Sequence, residues 1–527
     1  MPRHLGDDGE IWNRRRIRHR NGRRTRKGGP KQDRTTGLTN AEPRDQDTSD
    51  RGQHALNTQD RGHNRYSNGT GGWRVKLGKV QTENERYIDP DVLEDDNLVY
   101  FFMTKDGQDR GRFYQAELVD SFCRETAFQE LRSSGSELSQ RKVCLIDDRT
   151  NDGKNSASLG DFEPLSVHEM YLKLMEKRFH LESSAGAPID PSVDRRLIFV
   201  TDPDSHGMAA LMATAPLSQV DVLSDFFYHY VAFKPYIGDS SQSRGFPTFT
   251  YSFHLPFYSW ACTRQEPRDL RATKDGSPLR CVHNMSFLGG KPQGAPYKVD
   301  YLCKAQVSVL IASVDHTVWT GFGFADTHYQ PEDWRQSVDK YLDDEMRFDP
   351  FTDGKCDADK PFLDPGEYFL TCLDYQSKLF KNEWVKTAWE LTQKVKANIS
   401  DPKFGFTKSS PLTYQESHQP LEWLGQTRLI LNDLEMTLDT TINCWDNFAS
   451  KDQFSTPYGR RCLASIDQTF GGAKNCLKEL KNIGTLCDGY ENTFKLHTTG
   501  VGSHAAHGQA QAAERNLQAS YIQLFVS

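Results

Sequence analysis

The clearest hydrophobic pattern in the chain is "GFPTFTYSFHLPFYSW", where Phe249, Tyr251, Phe253, Leu255 and Phe257 alternate with Thr250, Ser252, His254 and Pro256. A period of two puts one set on a buried face and the other toward solvent, which predicts a β-strand. Pro256 lacks an N–H for the ladder, so the strand ends or lies at a sheet edge there. His254, on the polar side, reads as a solvated strand residue. "RKVCLIDD" (141–148) and "RRLIFVTDPD" (195–204) are apolar runs of strand length. Asp202 and Asp204 close the second with helix N-terminal punctuation. "KAQVSVLIASVDHTVWTGFGFADTH" predicts a hairpin turning near Asp315–His316.

Helical spacing alternates with these strands. "SVHEMYLKLMEKRFHL" carries an apolar stripe of Met170, Leu172, Leu174, Met175 and Phe179. "ALMATAPLSQVDVLSDFFYHYVAF" places Val220, Leu223, Phe226, Phe227 and Tyr230 at helical spacing. From Asp364 the pattern is helical for about 130 residues, in segments of the length that suits stalks and bundles. The last segment, starting near Tyr458, has Ile466, Phe470, Ala473, Leu477 and Leu480 in steps of four and three. That seam runs on through Gly484, Cys487, Glu491 and Phe494, a weak coiled-coil repeat. The fold class expected is α+β: a mixed sheet with flanking helices, then a long-helix stalk or bundle, behind a disordered N-terminus.

Composition sharpens the domain boundaries. Hydrophobic residues make up 36% of the 527, and the shortfall is concentrated at the start. Residues 1–90 are rich in Arg, Gly, Asn and Asp and cannot bury enough surface to offset their ordering entropy, so they are read as a disordered basic arm. Residues 1–34 carry twelve Lys/Arg against four Asp/Glu, while the whole chain is −7. An acidic body with a basic arm argues against a nucleic-acid-binding body and leaves the arm for nucleic acid or anionic lipid. The α/β domain is placed at 91–365, the stalk-like helices at 366–498, and a flexible tail with an apolar end at 499–527.

Chemical signals are sparse. The eleven cysteines are scattered with no CxxC, a pattern of reduced thiols. No P-loop, GxGxxG after a strand, GxSxG elbow or HExxH motif is present, and the chain is read as a non-enzyme. His168 beside Glu169 lacks a second histidine four residues on and reads as a surface residue. Asp326, Thr327 and His328, closing the hairpin, could hold a metal if a third partner joined them. Asp343, Asp344 and Glu345 form an acidic cluster suited to a divalent cation and are the candidate metal ligands, with Mg²⁺ as a regulatory ion. "DPFTDGKCDADK" (349–360) fails as a calcium loop, because Phe351 and Lys360 stand where oxygen ligands are required.

"RRLIFVTDPD", "GFPTFTYSFHLPFYSW", "KAQVSVLIASVDHTVWTGFGFADTHY" and "DPFTDGKCDADKPFLDPGEYFL", in this order, resemble a group of fungal CorA-like proteins. The resemblance covers about residues 95–527. It implies the cytoplasmic α/β sensing domain and stalk of a pentameric magnesium or divalent-cation transporter, whose pore helix ends in Gly-Met-Asn. That signature is absent here, and no stretch reaches the length of a membrane span. As written the chain reads as cytoplasmic. "SYIQLFVS" falls where the first span should begin, so the chain is expected to stop short of its membrane part, and a membrane partner follows only if it continues beyond Ser527. The alternative expectation is a soluble regulatory or binding module that has lost transport and uses the basic arm for polyanion contact.

Overall fold

The structure is a computed structural model. It describes residues 85–526 apart from 89–97, 106–109, 124–127, 133–139, 152–155, 159–161, 180–192, 243–247, 290–297, 314–316, 331–337, 343–346, 363, 401–413 and 452–453. The disordered arm predicted for 1–90 lies almost entirely outside these residues. Two short helices open the described chain, α1 (Leu98–Thr104) and α2 (Phe113–Cys123), followed by strands β1 (Lys142–Asn151), β2 (Ser156–Ser158) and β3 (Leu165–Ser166). Then come α3 (Val167–Met175), β4 (Arg195–Thr201), α4 (Ser205–Thr214), α5 (Val220–Val231), β5 (Tyr236–Gln242) and β6 (Thr248–Thr263). Strands β7 (Val282–Asn284), β8 (Val299–Ser313) and β9 (Trp319–Ala325) complete the sheet. Three long helices follow: α6 (Pro365–Ser400), α7 (Tyr414–Ala449) and α8 (Pro457–Val526).

The architecture is α+β with a mixed sheet. The order is β2-β1-β4-β9-β8-β6-β5, with β3 on β1 and β7 on β8. Strands β4 and β9 run parallel, from Arg195 opposite Trp319 to Thr201 opposite Ala325, and every other pairing is antiparallel. Strand β6 pairs with β8 without a break from Phe249 opposite Ser313 to Thr263 opposite Val299. Strand β5 stops pairing at His254, so Pro256 falls just past its end, where the missing N–H costs no ladder bond. The hairpin expected near Asp315 closes with Ser313 opposite Trp319.

Alternation sorts the sheet residues into two cores. Leu197 and Phe199 of β4 join Phe253, Leu255, Val307, Val309 and Trp319 beneath the long helices. Ile198 and Val200 join Cys144, Ile146, Leu310, Phe322 and Phe324 beneath α1 to α5. Both faces of β4 are buried along its whole length, as its unbroken apolar run requires. On the long-helix face of β9, glycine is needed for space. A Cβ on Gly321 would stand 2.6 Å from Leu197, and one on Gly323 would stand 2.9 Å from both Phe199 and Phe351.

The helical segment around 210–233 is divided in two, because Pro216 follows α4 and cannot continue it. His168 is not at the surface: it is buried, with Nδ1 2.7 Å from the carbonyl of Leu131. The long helices stack in two tiers, α6 on β6, α7 on β5 and β6, and α8 on both helices. The expected seam is present, with Ile466, Phe470, Ala473, Leu477, Leu480, Cys487 and Phe494 buried. Its centre is the Phe470 ring, stacked on Trp445 at 5.1 Å and 9° and 5.8 Å from Phe380. The flexible tail expected at 499–527 is instead helical backbone, since α8 runs without interruption to Val526. Ala, Gln, Glu, Arg and Leu dominate 505–519 and all favour helix, which the Gly and His count obscured.

Asp349 couples the sheet side of the body to α6. It caps the turn Pro350–Thr352, accepting from the Phe351 N–H at 3.0 Å and from the hydroxyl of Tyr368 of α6 at 3.1 Å. Burial pushes its carboxyl up to about 6, against the partial relief supplied by Arg195. The native state therefore keeps this proton where the unfolded chain, near 3.8, has lost it. That contribution is complete below pH 3.8 and is lost as pH rises through 6. Urea titrations should show wild type losing up to about 3 kcal/mol relative to Asp349→Asn between pH 4 and 7.5. Parallel pH profiles for the two proteins would contradict this. Trp445→Ala should cost about 3–5 kcal/mol by the same assay, because α7 and α8 cannot close over so large a void.

Candidate functional site

Strands β4 and β9 end side by side, and each is followed by an acidic residue. Asp202, just after β4, has a φ of 43°, the left-handed region, and its N–H donates to the Ala325 carbonyl at 2.9 Å. The reversed backbone aims its carboxylate at the segment after β9. Oδ1 accepts from the N–H groups of Thr327 at 2.7 Å and His328 at 3.2 Å. Oδ2 accepts from the Thr327 hydroxyl and from Arg141 at 3.2 Å. Asp204 does what its position predicted, capping α4 through the Gly207 N–H at 2.7 Å.

Asp326, just after β9, is fully enclosed. Its Oδ1 accepts from Arg271 at 2.8 Å and from the Tyr230 hydroxyl; its Oδ2 accepts from Arg280 and from the Gln306 N–H, each at 2.8 Å. Arg271 also grips Asp269 at 2.7 and 2.8 Å, and Arg280 lies 4.7 Å over the Tyr230 ring while donating to the Tyr230 carbonyl at 2.7 Å. The segment 264–281 is thereby tied to α5, β8 and β9 at one carboxylate. Burial alone would raise the Asp326 carboxyl, but the fields of Arg271 and Arg280 hold it far below the usual range. At Asp202, burial is likewise outweighed by His328 and Arg271, and the carboxyl is held at about 2.

Asp202, Asp326 and His328 bring potential ligand atoms within 4.8 Å of one another, so the third partner sought for Asp326 and His328 is Asp202. His328 is buried, neither ring nitrogen makes a hydrogen bond among the described residues, and Nδ1 stands 3.8 Å from Asp202, an electrostatic approach beyond hydrogen-bond length. The donor set nevertheless does not fit a divalent cation. Each oxygen of the two carboxylates already accepts two hydrogen bonds, and Asp326 faces two guanidiniums in a low-dielectric site. The cluster is a structural clasp. The acidic cluster Asp343, Asp344 and Glu345, the metal ligands expected from the sequence, lies outside the described residues.

Behind the clasp is a polar cleft of about 680 Å³ between α5 and strands β5 and β6. Gln306 joins the two, its N–H on Asp326 and its side-chain amide 2.9 Å from the Ser308 hydroxyl and 3.2 Å from His254 Nδ1. His254 and His229 stand on the floor, with ring centroids 5.2 Å apart and planes at 25°. Lys105 with Asp221, at 2.7 Å, and Arg112 with Asp225, at 3.3 Å, form the rim. His254 was expected to be solvated; it is 1% exposed, because α5 lies over the polar face of β6. Burial lowers both imidazoles, His254 the more, with His229 and Arg280 adding to the effect there. Both rings are neutral at neutral pH.

No family model matches this chain, and no curated protein matches it.

Sequence reasoning marked Asp326 and His328 as possible metal ligands and Asp202 only as helix punctuation, and it missed the site roles of Arg271, Arg280, Tyr230, Gln306 and His229. The two arginines lie in an irregular segment with no periodicity to mark them. Tyr230 was read as one more apolar position of a helix. Asp326→Asn should destabilise the chain by about 3–5 kcal/mol in urea titrations, because two buried guanidiniums lose their counter-charge. A change under 1 kcal/mol would show that the clasp is not a principal support.

Proposed function

We propose that this chain is the ion-sensing body and stalk of a CorA-like divalent-cation transport protein, with magnesium as the physiological ion. The observation that carries the reading is the shape of α8. It is 70 residues, about 105 Å, and among its described residues the last buried one is Phe494. Beyond Phe494 the described side chains Lys495, Leu496, Gln509, Gln511, Ala512, Ala513 and Arg515 are all exposed. Helices draw most of their stability from tertiary packing, so a helix this long with exposed positions as far as Arg515 favours association with like helices. A bundle of copies around a common axis supplies that contact, and it is the arrangement the family resemblance implies.

The order of elements supports the same reading: a mixed sheet between two helical layers, two 36-residue helices on the sheet, and a longer one leading away. Among the described residues no helix is long and apolar enough to cross a membrane, and no residue of this chain is assigned to a pore. Sedimentation equilibrium of the full chain, with Mg²⁺ and with chelator, tests the proposal. Concentration-dependent association that ends at five copies and changes with Mg²⁺ is the expected result. A monomer at every concentration in both buffers would remove the basis for a stalk.

A further inference from the structure

The floor of the polar cleft carries hydrogen-bonding atoms that the protein itself does not use. His229 Nδ1 lies 2.8 Å from the carbonyl of Asp225, so it must donate, leaving Nε2 as a lone-pair acceptor. The Gln306 amide nitrogen is fixed by its contact with the His229 carbonyl at 3.4 Å, where an oxygen would meet an oxygen. It lies 3.2 Å from His254 Nδ1, which also stands 2.8 Å from the Ser308 hydroxyl, so that side of the ring is taken up by protein partners. Among the described residues neither Nε2 makes a hydrogen bond, and His254 is 1% exposed. The stacked pair thus presents the acceptor of His229 beside the second ring nitrogen of His254.

Around them, the hydroxyls of Tyr236, Ser240, Thr250 and Ser252 line the cleft and make no side-chain hydrogen bond among the described residues. The Tyr236 ring lies across Gly238, where a Cβ would stand 2.3 Å from its hydroxyl oxygen, and walls the cleft. The charges at the rim cancel, each cation beside its own carboxylate. A cleft with no net charge and many unused neutral donors and acceptors favours a ligand of the same kind. Its volume is in the range of small-molecule sites.

We infer that this cleft binds an uncharged, hydroxyl-rich small molecule of nucleoside or monosaccharide size, its polar edge read by His229 and His254. The inference is independent of the transport reading. Saturation-transfer NMR on the full chain, with adenosine and with glucose as separate probes, tests it and tells the two sources apart. Saturable binding of at least one is expected, weakened about tenfold by His254→Phe, which keeps an aromatic ring and removes its nitrogens. Ser252→Ala, half-buried on the same strand, should weaken it in the same direction and serves if the histidine variant does not fold. AMP should bind no tighter than adenosine. Failure of both neutral probes to saturate, binding unchanged in the two variants, or a clear preference for AMP would each overturn the inference.

Discussion

Asp326 is the point where the body of this protein is held together. Its carboxylate takes four hydrogen bonds from three parts of the chain: Tyr230 of α5, Gln306 of β8, and Arg271 and Arg280 of the irregular segment between β6 and β7. Two guanidiniums and two carboxylates, counting Asp269, are removed from water together. Such a group is costly to assemble and much costlier to break at one member. Its contribution lies in specificity as much as in stability: few other arrangements of 264–281 could satisfy both arginines out of water. The clasp also fixes Gln306, whose side-chain amide contacts His254 Nδ1.

That dependence links the clasp to the cleft. The imidazoles of His229 and His254 remain neutral because they are buried, and their orientations follow from a backbone carbonyl on one side and an amide on the other. A floor ordered from behind loses little freedom when something binds to it, the usual advantage of a preformed site. The clasp is therefore a support whose own carboxylates are saturated, while the adjacent cleft keeps its polar atoms available.

The long helices obey a different constraint. Helices α6 and α7 lie on the sheet and bury aromatic residues against it and against α8, with Trp384, Trp445 and Phe470 at the centre. Past Phe494, the described side chains of α8 are exposed. Its composition favours helix there, but propensity alone sustains long helices poorly in water. Under the proposed stalk reading, neighbouring copies would supply contacts along this part of the helix.

Much of the fold was legible in the sequence because it rests on local periodicity. The alternation of β6, the apolar run of β4, the hairpin of β8 and β9 and the seam of α8 are patterns of spacing, and spacing survives in one dimension. The pairing of β4 with β9 across more than 100 residues, the burial of His168 and His254, and the helical backbone after Leu496 were not legible in this way. Polar residues on a strand look solvated until a helix is laid over them, as α5 is over His254. Asp202, Asp326 and His328 stood out as chemical residue types at strand ends, yet their partners Arg271, Arg280 and Tyr230 did not, because no local pattern ties an arginine in a loop to a carboxylate 46 residues away. The sequence by itself determined which segments form strands and helices, since that choice depends on near neighbours along the chain. The tertiary structure alone decided which polar groups are neutralised and which are left to meet a ligand, since that depends on burial and on partners brought together by folding.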